Sequence, residues 1–353
     1  MRKALVISDR FFLPRIFEEA VEGLSFWENV ERSYLEVAWP DTDFQRTECI
    51  CEYIPYPSEA FSFIADCEVL VTQMGAVDGP LLERARKLRV VGCLRSGPVN
   101  VDVAECTKRH IPLVCVGHRS GPAVAEFTLG LMIAARRGIA HEQNTKRRGR
   151  WNQCDYFHFQ SSPPILSHQR VGLVGFGNIA QALAALLHAF HCDIWACDPA
   201  VDEHKMRKMG VRKSTLQEVL SACDIVSLHV RLNSSTRGMI GEEEIAQMKK
   251  GALLINTARG GLVDEVALQR ALEEGKIGGA ALDTLEDEPW NGVHPLASLS
   301  NVVLTPHIAG AAQATVRIGA REVARMIADY FTGSVPYGSC LNPETLVKTE
   351  DPR

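Results

Sequence analysis

Three residues far apart in the chain, Arg259, Glu288 and His307, carry the side-chain types that one acid–base reaction needs. Each stands just past an apolar run: Asn256-Thr257-Ala258-Arg259, then Asp283 through Glu288-Pro289, then Thr305-Pro306-His307. If the runs are strands of an open parallel sheet, their carboxyl ends face the crevice where such sheets bind ligands. A guanidinium there pairs with a carboxylate and a keto oxygen, an imidazolium supplies a proton, and a carboxylate keeps the imidazole charged and oriented. This set suits reduction of a 2-keto acid, provided a hydride donor lies beside it. Singly, each residue has a plainer reading as a surface ion pair, a solvated loop acid or a hydrogen-bonded strand-end histidine. Their recurrence after successive strands favours chemistry.

A donor site is written upstream. Gly175-Phe176-Gly177-Asn178-Ile179-Ala180 follows the apolar run Val171-Gly172-Leu173-Val174 and opens a helical stretch over 182–188. In such a turn the first glycine permits the sharp bend and the second lets backbone approach a pyrophosphate. A small third residue, here Ala180, packs helix on strand, and the helix N-terminus faces the anion. Asp198 ends the next apolar run, where an acid accepts hydrogen bonds from adenosine ribose hydroxyls and repels a 2′-phosphate. The pattern favours NAD over NADP, with His204, Lys205, Arg207 and Lys208 close by as the opposing signal. The plainer reading of Asp198 is a helix cap or strand end. Thr257 and Asp283 stand where they can contact the nicotinamide ribose or ring, or else cap the next helix or turn.

The elements that must hold these groups are legible as βα repetition. In the first third, β-like runs at 4–9, 68–72, 89–94 and 111–116 alternate with helical stretches at 80–87 and 101–109. Ser120-Gly121-Pro122 opens a long helical pattern to about residue 145, read as the link between two lobes. The basic run Lys146-Arg147-Arg148-Gly149-Arg150 closes that helix, and 151–169 reads as a surface loop. Strands are then expected at 171–174, 193–197, 224–230, 252–256, 279–282 and 302–304, with a last helix over 312–331 that can return the chain to the first lobe. The fold class is α/β, two Rossmann-like or flavodoxin-like βα lobes with parallel sheets.

Composition narrows the partners. A chain of 353 residues exceeds one compact domain, and a net charge of −5 provides no field for a polyanion, so nucleic acid is not an expected partner. No stretch nears the 18 uncharged apolar residues a membrane helix needs, and the apolar run after Met1 is short for a signal peptide; the expectation is no membrane and a cytoplasmic location. The 11 cysteines show no Cys-x-x-Cys pair and read as reduced core thiols. His188 and His191 share a helical face without an acidic or thiol partner nearby, so no metal site is expected.

Taken in order, five segments resemble the NAD-dependent D-2-hydroxyacid dehydrogenases. These are the glycine turn with Asp198, the stretch His229-Val-Arg-Leu-Asn-Ser-Ser-Thr236-Arg-Gly, Asn256-Thr-Ala-Arg259-Gly-Gly, Ala281-Leu-Asp283 to Glu288-Pro289, and Thr305-Pro-His307-Ile-Ala-Gly310. The resemblance implies a cofactor lobe (120–311) inserted into a substrate lobe split between 1–119 and 312–353, hinge closure, and a homodimer. By position it makes Arg259 the substrate-binding arginine, His307 the acid/base and Glu288 its partner. It gives Thr257, Ala258, Asp283 and Gly310 to the nicotinamide side, and His229, Val230 and Thr236 to the loop beside the adenosine. Ser96 and Gly97 resemble the loop whose amides hold the substrate carboxylate. Four positions depart from the family pattern: Ala180 for glycine, Arg231 for proline, and Arg95 with Val99 in the substrate loop. Arg95 either adds a cation for a second acidic group on the substrate or is an ordinary surface arginine. The implied substrates lie in the glyoxylate, hydroxypyruvate or phosphoglycerate range. The alternative is an NAD-sensing scaffold like the C-terminal-binding-protein corepressors, which share the fold and the triad and which turnover separates from an enzyme.

Overall fold

The computed structural model describes residues 1–95, 97–117, 120–147, 149, 164–290, 292–334 and 337–346. The chain divides into two compact units, Met1–Arg119 with Ala312–Arg353, and Ser120–Ala311. Ser96, the side chains of Lys146 and Arg147, residues Arg148 and Arg150, and the 151–163 part of the loop expected over 151–169 lie outside the described residues.

In the first unit the strands are β1 (Arg2–Ser8), β2 (Val30–Glu36), β3 (Gln45–Arg46), β4 (Cys51–Tyr53), β5 (Val69–Thr72), β6 (Val90–Cys93) and β7 (Leu113–Cys115). Five of them form a parallel sheet in the order β2-β1-β5-β6-β7, and β3 and β4 pair antiparallel as a separate ribbon. Without the ribbon this is the flavodoxin-like order 2-1-3-4-5. Both faces are covered, so the strands read as unbroken apolar runs rather than alternating ones. Ala4, Val6, Val69 and Val71 pack on one face, and Leu5, Ile7 and Leu70 on the other. The final helix, Gln313–Thr332, lays Val316, Ala320, Val323, Ala324 and Ile327 on the first of these faces. The Trp27 indole donates to Ala324 O at 2.9 Å, tying the two ends of the chain into one core.

The second unit carries β8 (Arg170–Val174), β9 (Asp193–Cys197), β10 (Arg212–Lys213), β11 (Ile225–Leu228), β12 (Leu253–Asn256), β13 (Gly279–Leu282) and β14 (Val302–Leu304). They form one parallel sheet in the order β10-β9-β8-β11-β12-β13-β14, the Rossmann order with one strand added. The order reverses at β8, which puts the topological switch point beside the glycine turn. Again side chains divide by parity: Leu253 and Ile255 face one core, and Leu254 the other. The helix expected to run from 121 to about 145 is two helices, Gly121–Arg136 and Ile139–Arg147, with Gly138 at φ 63° between them. Only Gly138 marks the break in the sequence, and a lone glycine inside a helical pattern is a weak stop signal.

Candidate active site

The glycine turn joins β8 to the helix Asn178–His188. Gly175 sits at φ 91°, and a Cβ there would lie 2.8 Å from the His229 carbonyl oxygen and 2.9 Å from Val230 Cγ1. Backbone conformation and space both demand glycine. Gly177 caps the helix, its φ of −76° suits any residue, and a Cβ built on it meets nothing within 4 Å. The protein's own packing therefore does not require glycine there; the room lies at a helix N-terminus that no side chain caps, as a seat for an anion requires. Phe176 and Ala180 are buried, Ile179 is half-buried and Asn178 exposed.

Asp198, at the end of β9, holds this turn: Oδ2 accepts from Phe176 N at 2.8 Å and Oδ1 from Ala200 N at 2.9 Å. Each carboxylate oxygen has two acceptor sites, so capacity remains for ribose hydroxyls. His204, Lys205, Arg207 and Lys208 lie exposed on the following helix, Glu203–Lys208. His229 approaches Ser227 Oγ through Nε2 at 3.0 Å. The residue keeps partial exposure, yet burial around the ring lowers its pKa to about 4, leaving the imidazole neutral near pH 7. Thr236 is engaged within its own exposed loop, donating to Arg231 O at 2.6 Å and accepting from Asn233 N at 2.9 Å.

At the other end of the sheet, β12, β13 and β14 are consecutive parallel neighbours, so the segments that follow them leave from one edge. Buried Asn256 clamps the first: its Oδ1 accepts from Ala258 N at 3.0 Å and its Nδ2 donates to Arg259 O at 2.8 Å. Thr257 and Thr128 share a buried hydroxyl contact of 2.8 Å. Because Thr128 donates its only hydroxyl hydrogen to Val124 O, Thr257 is the donor of that pair and keeps only acceptor capacity. Arg259 is exposed, with one guanidinium N–H on Ala258 O at 2.7 Å and the rest of its donor fork uncommitted to any hydrogen bond among the described residues.

The second and third segments meet directly. Glu288 Oε2 lies 2.6 Å from His307 Nδ1, and its Oε1 accepts from Leu285 N at 2.5 Å. The side chains are 29% and 42% exposed, so the pair is reachable by a small molecule. A Cβ on Gly260 would lie 1.9 Å from the Leu285 carbonyl carbon. That backbone contact seats the residue after Arg259 against the loop that holds Glu288. His307 adopts φ 53°, uncommon for a non-glycine residue. Asp283, fully buried, accounts for it: Oδ1 accepts from Thr305 Oγ1 at 2.5 Å and Ile308 N at 3.0 Å, and Oδ2 from Ala309 N at 2.8 Å. Asp283 thus organises the backbone on both sides of His307, close to the turn-capping alternative of the sequence reading. Gly310 ends that loop, where a Cβ would make only ordinary contacts with Ser120 and Val124.

The comparisons with known proteins bear on the same stretch. Residues 129–309 match the family described as D-isomer specific 2-hydroxyacid dehydrogenase, NAD binding domain. A glyoxylate reductase of Korarchaeum cryptofilum is 36% identical over 92% of this chain and 94% of its own length. The chain belongs to the D-isomer-specific 2-hydroxyacid dehydrogenase family. A D-3-phosphoglycerate dehydrogenase of Methanocaldococcus jannaschii is 37% identical over 78% of this chain, which spans only about half (52%) of that relative's length. The NAD-complexed D-isomer-specific 2-hydroxyacid dehydrogenase of Lactobacillus delbrueckii ssp. bulgaricus superposes with a TM-score of 0.76 at 25% identity, covering 96% of this chain and 99% of that one. The family's cofactor is NAD, and the room at Gly177 and the carboxylate of Asp198 fit it.

Of the loop expected to bind substrate, Gly97 is exposed and Arg95 is paired: its guanidinium donates to Glu52 O at 3.0 Å and to the Glu52 carboxylate. Among the described residues no group of three or more His, Cys, Asp or Glu is placed to hold a metal, and no helix is long and apolar enough to cross a membrane. The clamp by Asn256 and the Thr128 hydroxyl were missed by sequence reasoning. Asn at a strand end three residues before Arg259 is a usable signal for the clamp; nothing local marks Thr128.

Proposed function

We propose that this chain interconverts small 2-keto acids and D-2-hydroxy acids with NAD(H), in the glyoxylate, hydroxypyruvate or phosphoglycerate range. The observation that carries this reading is the 2.6 Å contact of His307 Nδ1 with Glu288, at the strand edge that also bears Arg259, in a sheet whose switch point holds a dinucleotide turn. Bound NADH supplies the hydride. Gly175, Gly177 and Asp198 would hold the dinucleotide, with His229, Val230 and Thr236 on the adenosine side and Thr257, Ala258, Asp283 and Gly310 on the nicotinamide side.

The chain's own residues do the rest. Arg259 presents a planar donor fork to the substrate carboxylate and keto oxygen. Glu288 engages Nδ1 of His307, which leaves Nε2 as the nitrogen that gives its proton to the keto oxygen during reduction and takes it back during oxidation. Leu285 N fixes the other Glu288 oxygen, so the carboxylate orients the ring rather than turning toward solvent. The amides of Ser96 and Gly97 would take the substrate carboxylate.

A panel of glyoxylate, hydroxypyruvate, pyruvate and phosphorylated hydroxypyruvate with NADH, followed by absorbance loss at 340 nm, tests the reading. Turnover of at least one is expected. Tight NADH binding with no turnover of any would favour the scaffold alternative. A homodimer and a cytoplasmic location belong to the same proposal, the dimer being checked by light scattering at micromolar concentration.

A further inference from the structure

The loop that carries Glu288 is gripped at two neighbouring amides by two glutamates. Glu288 itself takes Leu285 N, and Glu265 Oε1 accepts from Glu286 N at 2.7 Å. Glu265 opens the helix Glu265–Glu273, where the positive end of the dipole favours a charged carboxylate. Its other oxygen, Oε2, lies 3.3 Å from Nε2 of His294. The neutral His294 ring has one tautomer open to it: Nδ1 accepts from Leu296 N at 3.3 Å, capping the short helix Pro295–Ser298, so the hydrogen sits on Nε2 and faces Glu265. Trp290 packs edge-on against that ring, 5.7 Å between centroids. The side chains of His294 and Glu265 are 14% and 18% exposed, against 42% and 29% for His307 and Glu288. The loop therefore joins two histidine–glutamate pairs, one open to a small molecule and one covered.

The covered pair connects to the open one through the backbone from Glu286 to Glu288. The peptide between Leu285 and Glu286 lies where a Cβ on Gly260 would meet Leu285 O at 2.0 Å and Glu286 N at 2.3 Å. That peptide is thus packed on Gly260 and bonded to Glu265. Gly260 follows Arg259, so the same contact fixes how far Glu288 stands from the segment that bears the arginine. The Glu286 carboxylate pairs with Arg237 at 2.7 Å, but both side chains are at least half exposed and such a pair adds little. All these residues belong to the unit Ser120–Ala311. We propose that Glu265, steadied by His294, is a positioning residue for the reaction: its bond to Glu286 N sets the loop so that Glu288 meets His307 beside Arg259. The proposal rests on the 2-keto acid reading above and adds to it a pair that acts through Glu288.

The test replaces His294 by Asn. Asparagine is a favourable cap that can still accept from Leu296 N, while its shorter side chain withdraws from Glu265, so the variant removes the contact and spares the turn. Turnover of the best 2-keto acid should suffer, with kcat falling roughly ten-fold as a reacting group is displaced by a fraction of an ångström. NADH affinity, keto acid KM and melting temperature should stay close to wild type. Glu265→Gln must leave either Glu286 N or His294 without its acceptor, and should give the same pattern. The deciding measurement repeats each change in a Glu288→Gln background. A pair that acts through Glu288 has no further effect there, whereas a general structural contribution lowers kcat by the same factor again. A folded Glu265→Gln or His294→Asn protein that keeps the wild-type kcat overturns the proposal, and so does an undiminished loss in the Glu288→Gln background. Failure of the wild type to turn over any 2-keto acid removes the underlying reading and this proposal with it; turnover that is indifferent to the covered pair removes this proposal alone.

Discussion

Replacing Asp283 by Asn asks whether that carboxylate sets the His307 loop. Its two oxygens serve three donors, Thr305 Oγ1, Ile308 N and Ala309 N. An amide keeps one acceptor. In its better orientation the oxygen replaces Oδ1 and retains Thr305 and Ile308, while the NH2 group faces the N–H of Ala309. One bond to a charged acceptor is lost at a fully buried site, a loss of about 2 kcal/mol. If that energy holds His307 in its left-handed conformation, it reappears as roughly a 30-fold fall in kcat/KM, at 1.36 kcal/mol per decade. The assay is NADH oxidation with the best keto acid, alongside fluorescence titration of NADH and thermal unfolding. A positioning role predicts lower kcat and melting temperature with NADH affinity within two-fold of wild type. A selective loss of NADH affinity with kcat preserved would refute the reasoning and show that contact with the cofactor outweighs the hold of Asp283 on the His307 loop.

Gly177→Ala adds a Cβ where the protein has nothing within 4 Å, so stability should stay within about 0.5 kcal/mol of wild type while NADH affinity falls ten-fold or more; unchanged affinity in a binding titration would move the pyrophosphate elsewhere. Arg259→Lys keeps the charge but loses the planar fork, and kcat/KM should fall at least 100-fold, whereas a near-wild-type value would take Arg259 out of the site. For His229 the folded pKa of about 4 lies below the ordinary 6.5, so the unfolded chain takes up the proton first. Stability from this group is complete above pH 6.5 and declines as pH falls toward 4, by up to roughly 3 kcal/mol. Chemical denaturation at pH 7 and pH 4.5 should show a shallower acid loss in His229→Gln than in wild type, and identical losses would count against the burial argument.

Much of this architecture is readable from the chain because both sheets are covered on both faces: Val69–Thr72 and Leu253–Asn256 bury every residue and announce themselves as apolar runs. β2 escapes that reading because Val30–Glu36 alternates charge with partial burial at the sheet edge, and β10 is two exposed residues long. The groups with chemistry stand out because they interrupt apolar runs at strand ends. What holds them is less visible. Thr128 meets Thr257 across 129 positions and Arg95 meets Glu52 across 43, and no local pattern encodes a contact between such distant residues. Asp283 lies between the two cases: its position at a strand end is legible, while its grip on Thr305, Ile308 and Ala309 needs the neighbouring β14.

The central claim is that the imidazole of His307, oriented by Glu288, moves the proton in a hydride-transfer reaction. Single-turnover reduction of a 2-keto acid by pre-bound NADH tests it directly, comparing wild type with His307→Asn. The expected result is a rate of NADH loss lower by ~10²–10⁴ with NADH affinity intact. A variant that consumes NADH at the wild-type rate would contradict the account.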